Sequence, residues 1–194
     1  MMQARLTATD LACIRGERLL FRGLSLALES GAVLHVTGEN GTGKTSLLRI
    51  LAGLLSPYAG DVSHEGGIGM LDERPALDPD QPLGTALRFW QQVDGCDDAS
   101  AAISAMELDA LLGVPVRYLS TGQRKRAAMA RLLCQDAPIW LLDEPLSGLD
   151  DRSQARIAQT VSAHAAAGGI VVLASHQPIA VERLSVFALA EYVA

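Results

Sequence analysis

One segment of the chain has glycines, a lysine and a threonine at the spacing that phosphate chemistry requires. It matches the pattern GxxxxGK(S/T) and consists of Gly38, Glu39, Asn40, Gly41, Thr42, Gly43, Lys44 and Thr45, with Ser46 directly after it. Glycines let the backbone turn successive N–H groups toward phosphate oxygens, and a helix that begins near Lys44 adds the positive end of its dipole. Lys44 would contact the β- and γ-phosphates, and the Thr45 hydroxyl would ligate Mg²⁺. By itself this loop predicts nucleotide binding and nothing narrower.

Two adjacent carboxylates, Asp143 and Glu144, follow the apolar residues 139–142. A buried strand that ends in two charges indicates a use for them, because desolvating each charge is costly. Side chains alternate along an extended segment, so the two carboxylates should point in different directions. We therefore assign Asp143 to the metal shell and Glu144 to orienting or deprotonating an attacking water. The alternative is a strand followed by a solvated acidic turn.

A histidine, His176, follows the apolar segment 170–174 through Ser175. Ligands of α/β sheets bind at the carboxyl ends of parallel strands, which is where this side chain is expected. We predict that it contacts the γ-phosphate or the attacking water, so that Lys44, Glu144 and His176 form the catalytic set. The other three histidines lack such a placement and are expected to be structural or solvent-facing.

The segment Leu119-Ser120-Thr121-Gly122-Gln123 precedes a helix predicted for residues 124–134. Ser120 is a favourable N-cap, and Gln123 three residues later completes a capping box. The simplest interpretation is therefore a well-capped helix. The alternative is that this helix N-terminus offers backbone N–H groups and the Ser120 hydroxyl to a phosphate.

The pattern of apolar segments indicates the fold class. Strands are predicted at 32–37, 138–142 and 170–174, and they alternate with helices such as 44–55. Alternation of this kind favours an α/β fold with a mostly parallel sheet that is covered on both faces.

The first thirty residues and the middle of the chain depart from this alternation. Residues 5–13 and 19–28 are predicted as short antiparallel strands joined by a turn at 15–17, and residues 99–112 as an amphipathic helix. We expect a single domain made of a core (about 1–73 and 135–194) and a helical insertion (about 74–134).

Composition excludes several classes of protein. The chain has 194 residues, of which 49% are hydrophobic and 20% charged, which is typical of a globular protein. Its formal net charge of -6 provides no basic field for nucleic acid. The apolar segments are too short to span a bilayer, and no signal peptide is expected because Arg5 and Asp10 interrupt the N-terminal region. The three cysteines form no CxxC pair, which favours idle thiols and a cytoplasmic location.

These motifs together resemble one family, the ABC ATPases. Residues 119–123 resemble its LSGGQ signature with Thr121 in place of the first glycine, and Asp143-Glu144 resembles its Walker B pair. Ser147–Asp150 resembles its D-loop, and Ser175-His176 its H-loop. The resemblance covers nearly the whole chain and implies a P-loop NTPase fold with a RecA-like sheet, together with Mg²⁺-dependent ATP hydrolysis.

The resemblance also implies an assembly. In a head-to-tail homodimer, two ATP molecules would each lie between the Gly38–Ser46 loop of one copy and the Ser120–Gln123 segment of the other, and closure of the dimer would drive integral membrane subunits. Two positions depart from the family. Its usual Gln at the core-to-insertion junction is absent, since alignment places Glu73 or Arg74 there. Arg15 stands where an adenine-stacking Tyr would be expected, and a guanidinium could stack instead.

Within the family, four segments resemble the ATPase subunits of the cytochrome c maturation, or haem-export, system: residues 18–25, 85–90, 168–171 and 176–178. This resemblance implies a peripheral protein on the cytoplasmic face of the inner membrane. Direct haem binding is not expected, because no CxxCH arrangement is present.

Alternative functions remain open at this point. One alternative is the ATPase of another small ABC exporter. A second is a nucleic-acid-linked ABC ATPase, for which the basic residues Arg124–Arg126 and Arg131 are the only sign, and such a cluster on one helix is usually a solvated face. A P-loop kinase would not need the Ser120–Gln123 segment or His176. A non-hydrolysing scaffold is disfavoured because Glu144 is intact.

Overall fold

A computed structural model describes residues 4–72 and 76–193. In this part of the chain the strands are β1 (Arg5–Arg15), β2 (Arg18–Glu29), β3 (Val33–Thr37), β4 (Ala59–Glu65), β5 (Ile68–Leu71), β6 (Ile139–Asp143), β7 (Ile170–Ala174) and β8 (Leu184–Ala188). The α-helices are α1 (Lys44–Leu51), α2 (Leu83–Val93), α3 (Ser100–Ala105), α4 (Thr121–Cys134) and α5 (Asp151–Ala166). Short 3-10 helices occur at Asp109–Leu111, Val116–Tyr118 and Leu189–Tyr192.

The N-terminal strands form a three-stranded antiparallel sheet in the order β2-β1-β4. Arg15 pairs with Arg18 across the turn between β1 and β2, and Gly16 in that turn has a φ of 62°, a left-handed conformation that glycine adopts without strain. Buried apolar side chains such as Leu6 and Phe21 hold this sheet onto the rest of the molecule. The predicted hairpin is confirmed, and β4 adds a strand that had no predicted counterpart.

The second sheet is parallel and has the order β5-β6-β7-β3-β8. All residues of β6 and β7 are buried, and successive side chains enter opposite layers of the core. Ile139 and Leu141 pack in the layer of α1 and the antiparallel sheet, whereas Trp140 and Leu142 pack in the layer of α2, α4 and α5. The predicted parallel sheet, covered on both faces, is therefore confirmed.

The helical segment between β5 and β6 differs from its prediction in one place. The prediction of one helix over residues 99–112 is wrong, since α3 ends at Ala105 and Glu107 takes a left-handed φ of 52°. The turn allows both Met106 and Leu108 to be buried, and an Arg126 N–H donates to the Glu107 carbonyl at 3.0 Å. The helices α2 and α4 share a buried cluster with β6 and β7, and the proposed boundaries of the insertion at 74 and 134 stay a prediction.

Helix α1 is also shorter than the predicted 44–55. The chain leaves the helix at Gly53, which has a φ of 70°. The N–H groups of Gly53 and Leu54 donate back to the carbonyls of Ile50 and Arg49, which is the Schellman ending of a helix. Within the described ranges, no helix has the length and hydropathy needed to cross a bilayer. The predicted junction at Glu73 or Arg74 lies outside the described residues.

Candidate active site

An open cleft of about 430 Å³ lies where β3, β6 and β7 end. Because these strands are parallel, the segments that follow them meet at the same edge of the sheet. The residues that line the cleft are Leu20, Asn40, Gly41, Gly43, Lys44, Thr45, Ser46, Asp143, Glu144, Ser147 and His176. Most of the predicted site residues are therefore brought together, including both proposed metal ligands, Thr45 and Asp143.

The loop between β3 and α1 has a shape that requires glycine at two of its positions. Gly38 has a φ of 156°, and a Cβ there would lie 2.8 Å from Thr42 Oγ1. Gly43 has a φ of 107°, and its Cβ would lie 3.2 Å from the Cβ of Leu20. Thr42 contributes to the loop internally, since its hydroxyl donates to the Glu39 carbonyl at 2.9 Å. The loop is thus a fixed backbone cradle at the start of α1.

The Lys44 ammonium lies across this loop. It donates to the carbonyls of Gly38 at 2.7 Å and Glu39 at 3.0 Å, and it lies 3.2 Å from His176 Nε2. Burial lowers the pKa of Lys44, while the nearby charges of Glu144 and Asp143 act in the opposite direction. A partly desolvated cation placed in this way is suited to bind phosphate oxygens.

Asp143 and Glu144 occupy the end of β6 and the turn after it. Asp143 is 2% exposed, and the Glu144 N–H donates to the Ala174 carbonyl of β7 at 2.8 Å. Glu144 has a left-handed φ of 47°, a conformation that is uncommon for a residue with a side chain. Its Oε1 lies 3.5 Å from His176 Nε2. The three predicted catalytic side chains, Lys44, His176 and Glu144, are thus consecutive neighbours.

The segment Ser120–Gln123 lies at the start of α4 and contributes no residue to the cleft lining. The predicted capping box is present. Ser120 Oγ accepts from the Gln123 N–H at 3.1 Å, and Gln123 Oε1 accepts from the Ser120 N–H at 2.8 Å. Gly122 lies against the turn after Glu144, because a Cβ on it would be 3.1 Å from the Gly148 carbonyl. Thr121 also lies next to this turn, since a Cβ on Gly148 would be 3.2 Å from its methyl group.

The proposed adenine contact, Arg15, is exposed at the end of β1 and does not line the cleft. Its stacking role stays a prediction. Leu20, which the sequence interpretation did not include, lines the cleft from β2. The terminal guanidinium nitrogen of Arg18 lies 4.0 Å from the place that a Cβ on Gly41 would occupy. The sequence provided little indication that residues of β2 lie near the cleft, because the pattern of a hairpin does not show which of its residues face a distant loop.

The sequence interpretation also missed Lys125. This side chain is 3% exposed on α4, and its ammonium donates to the Glu144 carbonyl and to the Ser147 hydroxyl. Two other residues of the basic cluster are bound within the chain as well, since Arg126 donates to the Met106 carbonyl at 2.6 Å and Arg131 to Asp94 at 2.9 Å. The spacing of Lys125 from the buried Met129 and Leu132 could have shown that it lies on the packed face.

Comparison with known proteins identifies the family of this site. A family model described as ABC transporter matches residues 21–147. The chain belongs to the ABC transporter family. It is therefore an ABC-type ATPase that binds and hydrolyses ATP, and the P-loop kinase and scaffold alternatives are set aside.

Several relatives of this ABC ATPase align over nearly its whole length. The cytochrome c biogenesis ATP-binding export protein CcmA of Novosphingobium aromaticivorans is 54% identical over 192 residues, which cover 99% of each chain. The protein of the same name from Sphingopyxis alaskensis is 50% identical, with 94% of this chain and 95% of that protein covered. The predicted resemblance to the ATPase subunits of cytochrome c maturation is confirmed.

Solved structures confirm the fold of this ABC ATPase. A Pyrococcus furiosus protein described as an ABC transporter ATP-binding protein superposes with a TM-score of 0.83 at 23% identity, covering 98% of this chain and all of that one. A bacterial ABC transporter cassette solved as a dimer gives a TM-score of 0.83 at 21% identity, with 95% and 94% covered. The predicted P-loop NTPase fold is thus confirmed.

Proposed function

We propose that this ABC ATPase powers the export step of cytochrome c biogenesis, as a homodimer bound to integral membrane subunits. The observation that carries the chemistry is the contact series from Lys44 through His176 to Glu144 in one cleft. The names of the relatives support the cellular process, because they are cytochrome c biogenesis export proteins.

In the cleft, the N–H groups of the Gly38–Thr45 backbone and the Lys44 ammonium would hold the β- and γ-phosphates. Glu144 would orient a water and accept its proton as the water oxygen bonds to the γ-phosphorus. The bond from that phosphorus to the β–γ bridging oxygen breaks, and the products are ADP and phosphate. His176, in reach of both Lys44 and Glu144, would contact the γ-phosphate or the attacking water.

The proposed Mg²⁺ ligands are oxygen donors, which this ion prefers. The Thr45 hydroxyl and the Asp143 carboxylate line the same cleft as Lys44, and the residues therefore fit the ion. Bound with phosphate oxygens of the nucleotide, Mg²⁺ would neutralise part of the charge that develops in phosphoryl transfer.

The Ser120–Gln123 segment supports the dimer. It is a helix N-terminus with exposed residues, a form suited to phosphate, and it lies outside the cleft of its own chain. In a head-to-tail homodimer it would complete the ATP site of the second copy, so that two ATP molecules are enclosed. The related cassette that was solved as a dimer supports the assembly of two copies. We further propose a peripheral position on the cytoplasmic face of the inner membrane, with no direct contact to haem.

The assignment is tested in a strain from which this chain has been deleted. We expect c-type cytochromes with covalent haem, detected by haem staining of gels, to disappear and to return with the wild-type chain but not with Lys44→Ala. Arg5→Ala, at an exposed position of β1 and outside the four segments that carry the resemblance, is the matched control and should restore them. Tagged chain from membranes should also retain integral membrane subunits.

Normal cytochromes in the deleted strain would contradict the assignment to cytochrome c biogenesis. Membrane subunits of an unrelated exporter in the purified complex would then favour the second candidate, another small ABC exporter. Neither result would change the membership of the ABC family.

A further inference from the structure

A buried lysine joins the two halves of the proposed composite site within one chain. Lys125 lies on α4, two residues after the Ser120–Gln123 segment, and is 3% exposed. A lysine is almost never fully buried unless its ammonium is bound by partners. Here the ammonium donates to the Glu144 carbonyl and to the Ser147 hydroxyl. These partners lie at the two ends of the short turn that follows β6.

The turn after β6 is stabilised by hydrogen bonds from other elements of the chain. Glu144 is held at a left-handed φ of 47°, which is an unfavourable conformation for a residue with a side chain. Its own N–H is bound to β7, and the Ser147 N–H reaches its carbonyl only at 3.3 Å. The Lys125 ammonium reaches the same carbonyl from α4. The backbone of Glu144 is thus bound by two elements, since its N–H donates to β7 and its carbonyl accepts from α4.

We propose that Lys125 is a positioning residue for Glu144. It holds the backbone of Glu144 and the Ser147 hydroxyl, and so directs the carboxylate toward His176 and the γ-phosphate position. This role rests on the proposed function of Glu144 in hydrolysis. Helix α4 begins at the Ser120–Gln123 segment, which would contact the ATP bound by the second copy. Through Lys125, the position of Glu144 in the first copy therefore depends on the same helix that completes the ATP site of the second copy.

The proposal predicts which kinetic constant changes. Because the Lys125 ammonium binds the turn that carries Glu144, its removal should act mainly on the position of the carboxylate and leave nucleotide binding largely intact. Displacements of about 1 Å in a reacting group reduce rates by roughly a hundredfold. For Lys125→Met, which keeps the length of the side chain and removes its donors, we expect kcat to fall about a hundredfold, with the Kd for ATP within about twofold of wild type.

The matched control is Met129→Ala, one turn further along the buried face of α4. It loosens the packing of the same helix and leaves the Lys125 hydrogen bonds to the turn after β6 in place. Its kcat should stay within about threefold of wild type even if its thermal stability falls below that of Lys125→Met. If Lys125→Met fails to fold, Lys125→Gln, which keeps an N–H donor, is measured in its place and should show an intermediate loss of kcat.

Mixed dimers show on which site Lys125 acts. Two full-length copies with different tags are purified as a pair in which one copy carries Glu144→Gln, so that a single site hydrolyses ATP. Placing Lys125→Met in the other copy, which keeps the intact Glu144, should reduce turnover about a hundredfold. Placing it in the same copy as Glu144→Gln should leave the rate of the reference pair unchanged.

The reverse pattern would overturn the proposal, because it would mean that Lys125 acts only through the Ser120 segment on the second copy. Equal losses in Lys125→Met and Met129→Ala would overturn it too, since a merely structural role would explain both. A reference pair that never forms with ATP would instead contradict the proposed dimer, and the comparison of kcat with Kd would still decide the role of Lys125.

Discussion

Two helices of this ABC ATPase begin at segments that we assign to phosphate, and they begin in different ways. Helix α1 has Gly43 as its N-cap, with a φ of 107° and no hydrogen bond from a capping side chain. Helix α4 has Ser120 as its N-cap, and a complete capping box binds the N–H groups of Ser120 and Gln123. The start of α1 has no capping side chain, so its donors are left to a ligand, whereas two of the N–H groups at the start of α4 are bound within its own chain.

The difference explains why one segment makes a cleft and the other does not. The α1 donors face a cavity that also contains Lys44, Glu144 and His176, so a nucleotide finds phosphate and water contacts in a single chain. At α4, the Ser120 oxygen already accepts one hydrogen bond, and its hydroxyl hydrogen can still be donated to a phosphate from outside. We infer that the start of α1 is preorganised to bind the phosphates of its own ATP. The start of α4 is preorganised to add a contact to the ATP bound by the second copy.

The largest expected effect comes from the cleft itself. Glu144→Gln keeps the size of the side chain and removes its capacity to take a proton, and turnover should fall about a thousandfold. ATP should still bind, and the unhydrolysed nucleotide should hold the dimer together, which size-exclusion chromatography with ATP will detect. Glu65→Gln, on exposed β4, is the control. Normal hydrolysis by Glu144→Gln would show that the cleft is not where water is activated.

The second effect tests the segment at α4. Ser120→Arg places a long side chain where we expect the γ-phosphate of the second copy, and hydrolysis should fall about a hundredfold through the loss of donors to that phosphate. Binding of a fluorescent ATP analogue to the single chain should stay within about twofold, because Ser120 does not line the cleft. Ser100→Arg, in the exposed first turn of α3, is the control. If Ser120→Arg hydrolyses ATP normally, the composite site is wrong.

The third effect concerns the shape of the α1 loop. Gly43→Ala forces a side chain into a left-handed conformation, at a cost of about 1–2 kcal/mol. The added Cβ would also lie 3.2 Å from the Leu20 Cβ and from Phe21 Cδ1. We expect ATP affinity, measured by calorimetry, to fall roughly tenfold. Gly113→Ala is the matched control, because the Gly113 backbone is not left-handed and an added Cβ would have no heavy atom within 4 Å apart from its chain neighbours. This variant should bind ATP normally.

Local patterns explain how much of this molecule could be predicted from its sequence. Strand β7 was predicted to the residue, because five consecutive apolar residues between turn formers leave few alternatives. The cleft residues of β3, β6 and β7 followed from the same logic, since parallel strands end at one edge. Strands β5 and β8 were missed, because they lie at the edges of the sheet and lack a long apolar pattern.

Contacts between distant segments could not be predicted in the same way. Lys125 and the Glu144 carbonyl are 19 residues apart, and nothing local to either residue indicates that they meet. The left-handed conformation of Glu144 and the turn at Glu107 are equally invisible, because tertiary contacts stabilise both against their local preference. The capping box at Ser120 was predictable because donor and acceptor lie within one turn of helix.

The smallest effect tests that capping box. Gln123→Ala removes the acceptor of the Ser120 N–H while the Ser120 hydroxyl still caps α4, and the free energy of unfolding should fall by about 0.5–1 kcal/mol in urea titrations without nucleotide. Gln177→Ala is the control, because its side chain is exposed after β7 and its backbone N–H, which donates to the Ser175 hydroxyl, is kept in the variant. An unchanged stability would mean that the hydrogen bond from the Ser120 N–H to Gln123 does not stabilise the start of α4. The contrast between the two helix starts would then rest on the Ser120 hydroxyl alone.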